Sequence, residues 1–178
     1  MKNVCSVPLF QGKEIMYYES KCLKKLKDLG APLEGWTCTM MIDEEYPAFV
    51  CELCGCEKVR FVHVMTNPQW YTELQVGCIC AGVMEGDILA AKDRDRKVKN
   101  RAKRRQYFPR RKWTHLPDGS YSIGCKGHHV TIRKVDERYI CYSDDEYTAT
   151  YHDKPITDLL SAFYAAFDLA DPIEEVWR

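Results

Sequence analysis

Residues 51–82 decide how the N-terminal half of this 178-residue chain is interpreted, and they read CELCGCEKVRFVHVMTNPQWYTELQVGCICAG. Two short cysteine pairs, Cys51-x2-Cys54 and Cys78-x-Cys80, enclose 23 residues. A glycine follows the first pair and another precedes the second, which allows the tight backbone turns of zinc knuckles. Four thiolates brought together form the closed tetrahedral shell of a structural zinc site. The sequence therefore predicts one structural zinc per chain, held by Cys51, Cys54, Cys78 and Cys80.

The residues between the two cysteine pairs have the composition of a β-hairpin. Residues 59–65 (VRFVHVM) form a β-branched and aromatic run, an Asn-Pro pair follows as a turn, and residues 73–76 (ELQV) supply a second short strand. The second cysteine pair opens a predicted helix, whose positive N-terminal end favours thiolates. This order of knuckle, hairpin and knuckle at a helix start predicts a treble-clef arrangement. Cys56 and His63 remain alternatives for a place in the ligand set, because Cys-x-Cys is a less usual second pair than Cys-x2-Cys.

The chain has ten cysteines, and its first residues, MKNVCSVPLFQGKE, contain no apolar run of the kind found in secretory signals. This combination predicts reduced thiols in a cytoplasmic protein. Small buried hydrophobes are the alternative interpretation of the cysteines in such a chain. Core packing is the prediction for the cysteines that lie mostly at apolar-patterned positions, which are Cys5, Cys22, Cys38, Cys125 and Cys141.

Enzymatic chemistry is not predicted. A four-thiolate shell leaves zinc without the open position that a catalytic metal requires. The sequence contains no HExxH, no GxSxG, no glycine-rich phosphate loop and no deaminase motif. A thiol redox role for the Cys51-x2-Cys54 pair lacks the βαβ context of thioredoxin-like motifs. We therefore expect no small-molecule substrate, and no membrane partner either, because no stretch approaches the roughly 20 apolar residues of a membrane span.

Hydrophobic periodicity along the chain predicts an α+β fold in three parts. A helix at 13–29, a strand near 36–42 and the zinc knuckle make up residues 1–91. One long helix, at about 81–106, carries the basic segment 92–112, which connects the two halves. An antiparallel β-meander packed on a C-terminal helix makes up residues 113–178, with strands near 120–125, 128–135, 138–143 and 147–151 and a helix after Pro155.

Charge is concentrated in the basic segment, residues 92–112, where 12 Lys and Arg stand against 2 Asp and Glu. The flanks are acidic: residues 1–91 hold 8 basic and 12 acidic side chains, and residues 113–178 hold 6 and 12. Pairing within the helix cannot offset most of this charge. An anionic partner, either a phosphate backbone or an acidic protein surface, is the functional interpretation. Neutralisation by the acidic flanks of the same chain is the alternative.

The predicted partner face follows from the helical periodicity of the basic segment. Its apolar stripe must face the protein, so the cationic side chains are expected on exposed flanks, and reversing their charge is expected to leave stability nearly unchanged. An acidic surface at Asp144, Asp145 and Glu146 that imitates DNA is the alternative. The predicted partner-binding residues are Arg94, Lys97, Arg101, Lys103, Arg104 and Arg105.

Several stretches of the sequence resemble known families. CELCG, VRFVHVM and LQVGCICAGVME, followed by an Arg/Lys-rich helix, resemble small bacterial and phage zinc-knuckle, treble-clef-like proteins over roughly residues 36–115. The C-terminal strands followed by LLSAFYAAFDLA resemble the sheet-plus-helix modules of phage integrase arms and plant AP2 domains, which bind DNA through the sheet. In size and style, the chain is also similar to zinc-containing anti-CRISPR inhibitors of Cas9.

The last resemblance implies a function in a bacterial host. It implies a non-enzymatic, zinc-stabilised phage protein of the host cytoplasm that docks on a Cas nuclease and blocks its nucleic-acid handling. The alternative function is a DNA- or RNA-binding regulator that uses the basic helix.

Overall fold

The computed structural model describes residues 12–177, and it confirms an α+β fold with antiparallel sheets. The described residues divide into two compact units, one running up to Lys99 and including Trp177, the other Asn100–Val176. The division falls inside the basic segment. No helix within residues 12–177 combines the length and the apolar character needed to cross a membrane.

The first unit begins with helix α1, Gly12–Leu29, close to its predicted bounds. The predicted apolar stripe faces inward, since Cys22 and Leu26 are fully buried. The helix ends at Gly30, which adopts φ +70° and donates its N–H to the Lys27 carbonyl at 3.0 Å. A glycine takes this left-handed conformation without the steric cost that a Cβ would add.

A three-stranded antiparallel sheet follows, built from the strands that the sequence predicts. Its order is β1 (Thr37–Asp43), β2 (Phe61–Thr66) and β3 (Leu74–Val76). β2 is the central strand, and four successive residues of it are buried, which agrees with its β-branched composition. His63 lies at the middle of the sheet, opposite Met41 on one side and Val76 on the other.

The long helix expected at 81–106 is two helices, α2 (Cys78–Glu85) and α3 (Ile88–Tyr107). Gly86 separates them in a left-handed conformation at φ +73°. Asp87 then caps the N-terminus of α3, because its side chain accepts a hydrogen bond from the Ala90 N–H at 2.9 Å. A Cβ added to Gly82 would lie 2.6 Å from the Ile88 Cα, so the start of α3 packs directly on the α2 backbone. The apolar residues keep the same helical spacing on both sides of the break, so the sequence pattern does not indicate the break.

The second unit carries the predicted meander. A five-stranded antiparallel sheet has the order β4 to β8, and a small hairpin, β9 and β10, follows it. A helix, α4 (Leu159–Ala170), packs on the sheet, and α5 (Ile173–Trp177) ends the described chain. The strands are Thr114–His115, Tyr121–Cys125, His128–Val135, Arg138–Ser143, Glu146–Thr148, Thr150–Tyr151 and Lys154–Pro155.

The core of the second unit lies between this sheet and α4. Ile132 and Cys141, paired on adjacent strands, are both fully buried and face Phe167 of α4. Phe108, in the short 3-10 turn that follows α3, packs edge-on to the Phe167 ring at a centroid distance of 5.1 Å. Asp158 caps α4 by accepting the Ser161 N–H at 2.9 Å.

Candidate functional site

Three cysteines of the first unit form a compact cluster of sulfur atoms. The thiols of Cys51, Cys54 and Cys80 all lie within 4.8 Å of one another, and the group could hold a metal ion. Cys51 and Cys80 are 1% exposed, while Cys54 is half-buried. Three of the four predicted zinc ligands are therefore brought together.

The backbone around Cys51 explains how the cluster forms. The Gly55 N–H donates to the Cys51 carbonyl at 2.9 Å, and the Cys51 N–H donates to the Cys56 carbonyl at 2.9 Å. This tight turn depends on Gly55, whose φ is +71°. The N–H of Gly77, the residue before α2, donates to the Cys51 sulfur at 3.4 Å. The predicted glycine turn is therefore present at Gly55, whereas Gly77 has an extended backbone and contributes its N–H instead.

The three thiols compete for protons because their sulfur atoms are so close. Hydrogen bonds from Cys54, and then from Cys80, hold the pKa of the Cys51 thiol well below its ordinary value. The bond to Cys51 raises the pKa of Cys54. The pKa of Cys80 is also raised, first through its hydrogen bond with Cys22 and then through those with Cys51 and Cys54. A divalent cation would replace these shared protons with metal–thiolate bonds.

Cys22 is a fourth cysteine next to this cluster. Its thiol donates to the Cys80 carbonyl oxygen at 3.9 Å, its side chain is fully buried, and its proximity helps to raise the pKa of the Cys80 thiol, but it does not belong to the group of three sulfur atoms within 4.8 Å of one another. The prediction that Cys22 packs in the core is confirmed by its burial. It did not anticipate that Cys22 also contacts Cys80 of the thiol cluster. Of the other cysteines predicted in the core, Cys38, Cys125 and Cys141 are buried, and Cys5 lies outside the described residues.

Cys78 lies in a different group from Cys80. It stands with His63 and Asp95, with the three ligand atoms within 4.8 Å of one another. Both cysteines lie in the first turn of α2, where each residue advances about 100° around the axis, so positions i and i+2 point to nearly opposite sides. A Cys-x-Cys pair inside a helix therefore divides between two clusters. Within residues 12–177, Cys56 belongs to neither group.

None of the nine cysteines among the described residues forms a disulfide. His128 and His129, the remaining histidine pair, are exposed and bind the turn after β7: His128 Nδ1 lies 2.7 Å from the Asp144 carboxylate, whose other oxygen accepts the His129 N–H at 2.8 Å. Asp144 thus organises a turn of the second unit.

The basic segment departs from the expectation of exposed cations. Arg101 is 5% exposed, and it donates to the Asp171 carbonyl and to the Asp168 carboxylate, each at 2.6 Å. Arg105 binds Asp168 as well, and Arg104 donates to the Asp171 carboxylate at 2.8 Å. These aspartates belong to the acidic C-terminal flank, so the alternative of neutralisation by the flanks applies to these three predicted residues, and Arg94, paired with Glu85 of the N-terminal flank, is a fourth.

The other predicted partner-binding residues differ in exposure. Arg94 is largely buried and pairs with Glu85. The Lys97 side chain is 41% exposed and pairs with Asp93 at 3.1 Å, whereas Lys103 is exposed. The predicted face is therefore not one continuous free surface.

An open groove of about 410 Å³ lies in the second unit at the end of α3. Phe108, Cys125 and Phe167 form its apolar wall. Tyr107, which is 59% exposed, stands at its edge. Its basic residues are Lys103, Arg104, Arg111 and Lys126.

The carboxylate of Asp171 contacts two of these basic residues, and Asp171 is 1% exposed. It accepts from Arg104 at 2.8 Å and from Lys126 at 2.9 Å, which holds these two cations side by side. We name the four basic residues and Tyr107 the basic groove. Comparisons with protein-family models, curated proteins and solved structures gave no match.

Proposed function

We propose that the first unit is a treble-clef-like module built around one structural zinc, with Cys22, Cys51, Cys54 and Cys80 as ligands. The close packing of three thiols supports a soft metal site, and the buried Cys22, whose thiol lies 3.9 Å from the Cys80 carbonyl oxygen, is the candidate for the fourth sulfur. Zinc is the divalent metal that such thiolate sets bind in structural sites.

The surroundings of the cluster suit the negative charge of a four-thiolate zinc centre. The Gly77 N–H points at Cys51, and the cluster lies at the N-terminal end of α2, where backbone N–H groups carry partial positive charge. The ammonium group of Lys21, next to Cys22 in α1, also interacts electrostatically with Cys54. These groups would offset part of the excess charge without further ligands.

We also propose that the protein is a non-enzymatic binding protein whose basic groove engages single-stranded nucleic acid. The observation that carries this proposal is the grouping of four cations and an exposed tyrosine around one open groove. Lys and Arg bind phosphate oxygens, and an aromatic ring accepts a stacked base of any sequence. Within the groove, the only carboxylate in contact with these cations among the described residues is buried Asp171.

The internal pairing of Arg101 and Arg105 fits this function. Both arginines are committed to Asp168, which fixes the end of α3 on α4 and leaves Lys103 and Tyr107 facing outward. Arg111 donates to the Gly124 carbonyl at 3.2 Å, so the opposite rim of the groove is also held in place. Preorganised cations lose less conformational entropy on binding than free side chains do.

A direct binding measurement tests this function. Fluorescence anisotropy with labelled single strands of about 20 nucleotides, as DNA and as RNA, and with duplex DNA, is followed over about 50–300 mM salt. We expect binding that weakens steeply with salt and favours single strands. The double variant Lys103→Glu/Arg111→Glu is expected to bind at least tenfold more weakly, because charge-assisted contacts are worth about 1.5–3 kcal/mol each.

The matched control is Arg96→Glu/Lys97→Glu. It makes the same change of charge, and the two side chains that it alters are exposed residues of α3 outside the groove. Equal losses of affinity in the two variants would show that binding depends on overall charge, and would contradict the assignment of binding to the basic groove. Absence of nucleic-acid binding at about 100 mM salt, together with capture of a Cas nuclease and inhibition of its cleavage, would replace this function by the nuclease-inhibitor interpretation.

A further inference from the structure

His63 is a buried polar residue with one unsatisfied nitrogen. Its side chain is fully buried at the centre of the three-stranded sheet, and its Nε2 atom has no hydrogen-bond partner. The Asp95 carboxylate lies 3.9 Å from Nε2, which is beyond hydrogen-bonding distance. A buried nitrogen without a partner costs free energy, so an unsatisfied Nε2 requires an explanation.

The surroundings of the other ring nitrogen, Nδ1, indicate which nitrogen of His63 carries the proton. Nδ1 lies 4.0 Å from the Cys38 sulfur, and the Cys38 thiol itself donates to the Met40 carbonyl at 3.4 Å. With its proton committed to Met40, the Cys38 sulfur is left as an acceptor for an N–H on Nδ1. The neutral imidazole then carries a lone pair on Nε2. Nε2 lies 3.9 Å from the Asp95 carboxylate, and Cys78 completes the group; both side chains are metal ligands when deprotonated.

We propose that His63, Cys78 and Asp95 form a second metal site, separate from the thiol cluster, that binds zinc. An imidazole nitrogen, a thiolate and a carboxylate are all zinc ligands, and a cation at their centre satisfies Nε2. Two negative ligands and a neutral histidine also balance the charge of a divalent ion, so the buried site is electrically neutral when filled.

The geometry around the histidine is typical of a metal ligand. Metal-binding histidines donate through the nitrogen that does not bind the metal, and here Cys38 receives that N–H. Cys38 lies on the opposite side of the ring from Nε2, so it cannot bind the same ion. Three protein ligands leave a fourth position for water, and the Asp95 side chain is 14% exposed.

Metal stoichiometry tests the second site, using the full chain purified with zinc and dialysed. We expect two zinc ions per chain by mass spectrometry of the metal content. Asp95→Asn, which is nearly isosteric and removes one ligand charge, is expected to lower this to one and to weaken the second binding step at least tenfold. The matched control is Asp93→Asn, two residues earlier in the same helix. The Asp93 carboxylate pairs with exposed Arg96 and Lys97. This variant is expected to retain two.

The ligand types give a second measurement, on the unaltered protein. X-ray absorption at the zinc edge should show mixed coordination, averaging between two and three sulfur atoms per zinc, instead of four. Cys78→Ser should lose one zinc and leave a sulfur-only spectrum. One zinc per chain in the wild type, or four sulfur atoms per zinc, would overturn the second site. Retention of both ions by Asp95→Asn would also overturn it.

Discussion

Arg105 of α3 binds the carboxylate of Asp168 in α4 through two nitrogens: Nε donates to Oδ1 at 2.9 Å and Nη2 to Oδ2 at 3.1 Å. The guanidinium is 16% exposed, and it also lies 4.6 Å from the centre of the Tyr164 ring. Asp168 accepts from Arg101 as well. Part of the basic segment is therefore structural, and within the second unit it holds the C-terminal end of α3 on α4.

Removing Asp168 should destabilise the second unit. Asp168→Ala leaves two largely buried guanidinium groups without their carboxylate, and we expect a loss of about 2 kcal/mol in the free energy of unfolding. Lys103→Ala is the control, because this exposed residue should change stability by less than about 0.5 kcal/mol. Urea unfolding of both variants measures the difference. Equal stability would show that these arginines remain solvated in solution.

Metal removal should unfold one unit and spare the other. Both cysteine-containing groups among the described residues belong to the first unit, whereas the second has a core of packed side chains. Because metal binding supplies folding free energy, a strong chelator should abolish hydrogen-exchange protection in β1 to β3. Protection in β5 to β7 should persist. Unchanged protection in β1 to β3 after complete metal removal would contradict a structural metal.

Cys22 should matter for zinc affinity in a way that a comparable cysteine does not. Cys22→Ser is expected to weaken zinc binding more than tenfold in competition with a chromophoric chelator, because it removes the fourth sulfur of the proposed site. Cys141→Ser is a close control: Cys141 is equally buried, and its thiol also approaches a helix carbonyl, that of Ala162 at 3.2 Å. It should lose some stability and keep its zinc affinity. Similar affinities for the two variants would remove Cys22 from the ligand set.

The cap of α4 should make stability depend on pH. The backbone N–H of Ser161 lowers the pKa of Asp158, so the folded state prefers the carboxylate. Its contribution is present above the unfolded pKa of about 3.9 and is lost as pH falls through the lower folded value. Asp158→Ala should cost about 1 kcal/mol at neutral pH. Asp158→Asn should keep most of the cap and lose this acid dependence, as pH-dependent urea unfolding would measure.

The close approach of α2 and α3 can be tested at Gly82. Gly82→Ala would force its Cβ against the Ile88 backbone, and we expect a net loss of about 1–2 kcal/mol despite the better helix propensity of alanine. Gly124→Ala is the control, because that position has no atom within 4 Å of an added Cβ. Thermal melting of the two variants should separate them. A stabilised Gly82→Ala protein would mean that α3 starts farther from α2.

Local patterns predicted most of the elements. The β-branched run at residues 59–65 became β2, and the meander strands lie within a few residues of their expected positions, because alternation and turn residues are read over short distances. The break at Gly86 was missed because a glycine within a continuous apolar stripe is compatible with an unbroken helix. The helix–helix contact that makes the break necessary depends on Ile88 meeting Gly82 in three dimensions.

Long-range pairs account for what the sequence could not reveal. Arg101 and Asp168 are 67 residues apart, and no local pattern distinguishes this buried arginine from its exposed neighbours. Cys22 has no cysteine at knuckle spacing, so only the fold brings it to Cys80. The reassignment of Cys78 could have been found earlier, since a helix start predicted at that pair already implies that its two side chains diverge.

The hydrogen bond between Cys22 and Cys80 joins two points separated by 58 residues of chain. In the proposed site, a zinc ion bound by the sulfur atoms of both residues would act as a reversible cross-link that closes a long loop, and cross-links of that kind restrict an unfolded ensemble most. During synthesis, α1 would leave the ribosome long before its partner cysteine. Zinc supply would then set how long each newly made chain stays open to proteases.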